Sequence, residues 1–72
     1  MVGFVTSIVA GSTTEVRLNS MTDPNDKIVM ELNHPNYSTI LSLLMASAVN
    51  KINIVIFKDD RGLLSHVQLV FP

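Results

Sequence analysis

The chain has no cysteine and no tryptophan, only three glycines and three prolines, and charge on just 15% of its 72 residues. Without cysteine there is no disulfide framework and no thiolate metal site. His34 and His66 lie too far apart for a zinc spacing, so neither a metal nor another cofactor is expected. So few glycines leave no phosphate-cradling loop. Five Lys and Arg against six Asp and Glu give a net charge of −1. That balance supplies no basic footprint for nucleic acid and no polybasic patch for a membrane surface. Membrane insertion is not expected either, because the least polar stretch, 37–57, is interrupted by Asn50, Lys51 and Asn53. A basic segment leading into an apolar stretch and a cleavage site is also missing, so no leader is expected within these residues.

What the chain has is apolar side chains: 47% of residues are hydrophobic and the mean hydropathy is +0.38. This excludes disorder and fits one folded domain over residues 1–72. A domain of this size buries only about 60% of its unfolded surface, and thin cores usually need a staple. With disulfides and metals gone, oligomerisation is the staple to expect.

Periodicity divides the chain. Residues 2–10 are β-branched and aromatic and read as a strand, with a turn signal at Gly11-Ser12. Residues 13–19 alternate, Glu15, Arg17 and Asn19 facing one way and Val16 and Leu18 the other, which completes a hairpin. The segment 20–26 carries Pro24 among Asp and Asn and is a loop. A third strand over 27–32 puts Ile28, Met30 and Leu32 on one face. The polar residues around Pro35 start a helix over 35–49, whose apolar stripe is Tyr37, Ile40, Leu41, Leu44, Met45 and Ala48. Asn50 suits a left-handed C-terminal cap, and Lys51 suits the helix dipole. A fourth strand over 52–58, a turn over 59–62 and a fifth strand over 63–71 complete the order β-β-β-α-β-β. The expected fold is mainly β with one helix, compatible with a small five-stranded OB-type barrel.

Two features ill suit a solitary domain. The helix carries no charge from Pro35 to Asn50, and opposite its stripe stand Ser38, Thr39, Ser42, Leu43, Ala46, Ser47 and Val49. Solvated helix faces normally carry Lys and Glu, whereas small residues let helices approach closely. Residues 52–57 are apolar on both faces, as a doubly buried strand would be, and Lys51, Lys58 and Asp59 flank them like gatekeepers. Both features read as signs of an oligomer. A monomer with a tolerated serine-rich helix, or a fragment whose missing part covers these surfaces, stays open.

Chemistry-bearing constellations are sparse, and no catalytic residue is assigned. His34 and Ser38 stand four apart and imitate a base–nucleophile pair, but no orienting acid or oxyanion hole accompanies them. Asp23 and Asn25 have the first two spacings of a calcium loop, yet Lys27 takes the third ligand position and His34 the place of the bidentate glutamate. Asp59 and Asp60 read as a solvated hairpin tip. Asn36-Tyr37-Ser38 is a formal glycosylation sequon of little weight. Phe57 and Phe71 read as core, and His66 as an exposed or half-buried strand residue. Arg17, Lys27, Lys51, Lys58 and Arg61 are scattered, which argues against a nucleic-acid groove.

The run His34-Pro35-Asn36-Tyr37, Ile40-Leu41-Ser42-Leu43-Leu44-Met45-Ala46 and Asn50-Lys51-Ile52-Asn53-Ile54 resembles the B subunits of bacterial AB5 toxins, above all those of subtilase cytotoxin and typhoid toxin. Gly3-Phe4-Val5-Thr6 and the turn at Gly11-Ser12 are similar to the first strand of those proteins. The resemblance covers nearly the whole chain in pattern rather than in signature motifs. It implies a homopentameric ring of OB-folds with joined sheets and five helices lining a pore. Thr39, Ser42, Leu43, Ala46, Ser47 and Val49 would then form the oligomer interface or pore lining. It also implies a secreted or periplasmic, non-enzymatic protein that binds host-surface glycans or glycoproteins and carries a catalytic A subunit. A cytoplasmic location, and a structural or protein-interaction module of OB type without glycan binding, stay open. The chain departs from the family in lacking a disulfide. Val2 stands where sialoglycan-binding members have a serine, and Val55 and Ile56 stand where sugar-site aromatics fall. No glycan-contacting residue is therefore assigned.

Overall fold

A computed structural model of the chain describes residues 1–70. The strand expected over 2–10 is broken at Phe4 into β1 (Val2–Gly3) and β2 (Val5–Ala10). After these come β3 (Thr14–Leu18), β4 (Ile28–Met30), the helix α1 (Tyr37–Asn50), β5 (Ile54–Lys58) and β6 (Leu64–Leu69). The break lets one stretch of chain serve two sheets. β1 pairs antiparallel with β5, in the sheet order β1-β5-β6, and β2 pairs antiparallel with β3, in the order β2-β3-β4. At the crossing Gly3 has φ +155°, which side-chain-bearing residues rarely adopt. Residues after β3 seal it: Asn19 Oδ1 accepts the Phe4 N–H at 2.9 Å, and Ser20 Oγ donates to the Val2 carbonyl at 2.7 Å.

The mainly β, one-helix class is as expected, but the five-stranded barrel is corrected to six strands in two three-stranded sheets among the described residues. β4 lies beside β6, yet among the described residues no ladder joins them and no barrel closes. The cause is local: β4 ends at Met30, and turns over 31–35 replace the expected continuation, leaving Leu32 exposed rather than on the buried face.

Alternation then builds the core. Val16 and Leu18 of β3, Ile28 and Met30 of β4, Ile54 and Ile56 of β5, and Leu64 of β6 turn inward and meet Val5 and the helix residues Ile40 and Leu44. The radius of gyration, 11.1 Å, is what a collapsed chain of this length should have on its own. Among the described residues two polar side chains are fully buried, and both are satisfied. Thr14 Oγ1 shares a 2.6 Å hydrogen bond with the Tyr37 hydroxyl. Ser47 Oγ accepts the Val5 N–H at 3.0 Å and donates to the Ile52 carbonyl at 2.7 Å.

Ser47 also reorients the helix. The packed stripe is Tyr37, Ile40, Leu44, Ser47 and Ala48, while Met45, expected on that stripe, is exposed. α1 starts at Tyr37 rather than Pro35, because turns closed by His34 N–H to Glu31 O and Tyr37 N–H to His34 O occupy the preceding residues. The left-handed cap falls on Lys51 (φ 53°, ψ 43°), not on Asn50, which remains helical. Phe71, expected to end the last strand, lies outside the described residues.

Candidate functional site

Three surfaces carry features that folding alone does not require. The first is the outer face of α1. Thr39, Ser42 and Val49 are exposed there, Leu43 and Ala46 are half-buried, and Met45 joins them. Ser47, expected among these interface residues, is corrected to the core, since its hydroxyl ties the helix to β2 and to the backbone leading into β5. No charged side chain interrupts the face, and Val49 is 78% and Met45 54% exposed. Beside it an apolar groove of 240 Å³ runs between α1 and β2, lined by Val5, Thr6, Ile8, Met45, Ala48 and Val49.

The second is the outer face of the β1-β5-β6 sheet. The β5 segment was expected to be buried on both sides. Ile54 and Ile56 are buried, but Val55 and Phe57 point outward beside Val2, His66 and Gln68. Phe57 is corrected from core to surface. Its ring stacks on His66 with centroids 4.3 Å apart and planes 13° from parallel, a cross-strand pair that hides one aromatic face of each.

The third is a polar cleft of 320 Å³ between the 31–35 turns and the 59–63 hairpin turn, lined by Glu31, Asn33, His34, Pro35, Asp59, Arg61 and Ser65 over Leu64. Asp59 Oδ1 accepts the Arg61 and Leu63 N–H groups, and Gly62 supplies the positive φ that closes the turn. Arg61 Nη2 lies 3.1 Å from Asp59 Oδ2 and 2.8 Å from Glu31 Oε1, joining the turn to the opposite wall. Desolvation pushes the Asp59 carboxyl up, but the Leu63 N–H, the Arg61 side chain and backbone N–H, and the Arg61 charge together hold it below the ordinary carboxylate range. The Arg61 guanidinium is raised, first by its hydrogen bond to Asp59 and next by the charge of Glu31.

A carboxylate lowered in the folded state stabilises the fold at neutral pH, and that contribution disappears as pH falls through its folded value. Asp59→Asn is therefore expected to lower stability at pH 7. It should also flatten the part of the acid limb that lies below about pH 4. Urea midpoints at pH 7 and through the acid range check this, and parallel acid limbs for both proteins would refute it.

The other sequence candidates resolve plainly. His34 does not meet Ser38 as a base. Its Nδ1 accepts the Asn36 N–H at 3.0 Å, so the Nε2–H is the proton donated to the Ser65 carbonyl at 2.8 Å. Asp23 and Asn25 form a local turn, with the Asn25 N–H on Asp23 Oδ1 at 2.9 Å. The carbonyls of Asp23, Pro24 and Asp26 converge on Arg17 Nη1, which occupies the centre a calcium ion would need. Among the described residues no group of three His, Cys, Asp or Glu could hold a metal ion, and no helix is long and apolar enough to cross a membrane. Asn36 of the sequon is exposed, with no side-chain capping bond. The polar cleft gave no sequence signal, because its walls come from segments about thirty residues apart.

These surfaces define a small two-sheet, one-helix β domain with a charge-free helix face and a polar cleft. Compared with known proteins, the chain matches no family model, no curated protein and no solved structure.

Proposed function

We propose that the chain is a non-catalytic, oligomeric binding protein of the toxin B-subunit type, in which copies meet through the outer face of α1. The observation that carries this proposal is the 14-residue helix without a single charge, whose solvent side exposes Val49, Met45, Thr39 and Ser42. Such a face gains from burial against a copy of itself and gains little from water. An OB-type path also supports it. β1 and β2 together act as one strand shared by both sheets, α1 follows the third strand, and β4 lies beside β6. A ring, with five copies favoured, would present host-glycan or glycoprotein sites on one surface and carry a catalytic partner, outside the cytoplasm.

A second proposal is an OB-type protein-interaction module without glycan binding. It is favoured by Ile56, which is buried and cannot replace the sugar-site aromatic of the resembled family, and by Val2, which offers no hydroxyl. The solution mass tests the assembly. Light scattering across a gel-filtration peak is expected to give about 40 kDa, five times the 7.9 kDa chain. A mass of one chain at high concentration would overturn the ring, and with it the role assigned to α1.

A further inference from the structure

We infer that the cleft between the 31–35 turns and the 59–63 turn is a site for one neutral pyranose ring, the terminal sugar of a glycan. This rests on the glycan-binding proposal above and assigns it a place.

The cleft walls are set before any ligand arrives. One wall is the hairpin turn, organised by Asp59 through its bonds to the Arg61 and Leu63 N–H groups. The other is the turn pair after β4, fixed by His34, which takes the Asn36 N–H on one ring nitrogen and reaches the Ser65 carbonyl with the other. Arg61 spans the two walls through Asp59 and Glu31. A site held in one shape by its own bonds loses less entropy when a ligand enters.

The chemistry of the lining selects the ligand class. Arg61 meets Glu31 as an ion pair, which engages one of the roughly four lone-pair positions a carboxylate offers. The Glu31 carboxylate, the remaining Arg61 N–H groups, the exposed Asn33 carboxamide and Ser65 therefore set acceptors and donors side by side around the cleft. Vicinal hydroxyls, each both donor and acceptor, match such an array. Two carboxylates surround one guanidinium, so a further anion is repelled and an acidic sugar is disfavoured. The exposed Pro35 ring supplies an apolar flank for the C–H face of a pyranose. At 320 Å³ the cleft falls at the small end of ligand pockets, which run from about 300 to 1,000 Å³, and it has room for a pyranose ring. One shallow site binds weakly, and repetition around an assembly would supply avidity.

The test is a nitrogen-15 amide shift titration of the full chain, in whatever oligomer it forms. The ligands are methyl glycosides of glucose, galactose, mannose and N-acetylglucosamine, raised to about 50 mM, with N-acetylneuraminic acid as the anionic control. Saturable shifts are expected at Asn33, Arg61 and Ser65 with at least one neutral sugar and not with the acid. Asn33→Ala and Glu31→Gln should each weaken that sugar about tenfold while leaving the remaining spectrum in place. Shifts centred on Val2, Phe57 and His66 would overturn the cleft assignment and leave glycan binding standing. Unchanged affinity in both variants would also overturn it. No shift with any sugar would remove the glycan proposal as well, without touching the mass measurement that tests assembly.

Discussion

Gly3→Ala is expected to cost about 3 kcal/mol of folding free energy, from a strained backbone and the lost hydrogen bond between the Phe4 N–H and Asn19. An alanine Cβ there would stand 2.5 Å from Asn19 Oδ1 and 3.0 Å from Ser20 Oγ, at a φ of +155° that alanine rarely adopts. To make room, the Asn19 carboxamide must leave the Phe4 N–H it accepts at 2.9 Å. A domain of this length typically has only about 4 to 11 kcal/mol in total, so the loss is a large fraction. The melting temperature should fall by more than about 10 °C. The double variant Gly3→Ala, Asn19→Ala separates the two causes. Removing the clashing atom should restore part of the loss, whereas full additivity of the two substitutions would mean that contact with Asn19 contributes nothing.

Ser42→Glu should dissociate the proposed assembly while sparing the chain's own fold. Ser42 is exposed, and its hydroxyl only returns to the Ser38 carbonyl one turn back, so glutamate fits the helix of an isolated chain. At a shared helix face the same substitution brings like charges together in an apolar setting. Association should weaken at least a hundredfold, about 3 kcal/mol. Ser42→Ala, which keeps the face uncharged, should leave the mass unaltered. If Ser42→Glu and Ala46→Glu both kept the wild-type mass, copies would not meet through this face.

Most elements were legible in the sequence because their signals are local. Val16 and Leu18 alternate with Glu15, Arg17 and Asn19, and they are buried as that alternation requires. The helix showed itself through its apolar spacing, although that spacing gave Met45 the same weight as Leu44. What distinguishes the two is Ser47, a polar residue that turns inward because the Val5 N–H and the Ile52 carbonyl need a partner there. Periodicity alone cannot anticipate a hydrogen bond across 42 residues. Phe57 was misplaced for a related reason. A strand apolar on both faces does not say which face the core takes, and the pairing that brings His66 opposite Phe57 is set by the hairpin. The break at Phe4 had one local sign, Gly3, which a strand pattern absorbs without comment. The cleft had none, since Glu31 and Arg61 meet only through the fold.

The split first strand also bears on the order in which the molecule assembles. β2 can pair with β3 as soon as residues 1–18 exist, and the backbone hydrogen bonds of α1 close within its own residues. β1, however, waits for Ile54 and Val55, and Met1 exchanges backbone hydrogen bonds with Ile56 across 55 positions. Pairing over such distances closes a long loop before it gains contacts, which slows folding. On a ribosome the N-terminal sheet and the helix would therefore take shape early. The second sheet would stay open, its apolar strands exposed, until β5 and β6 had emerged.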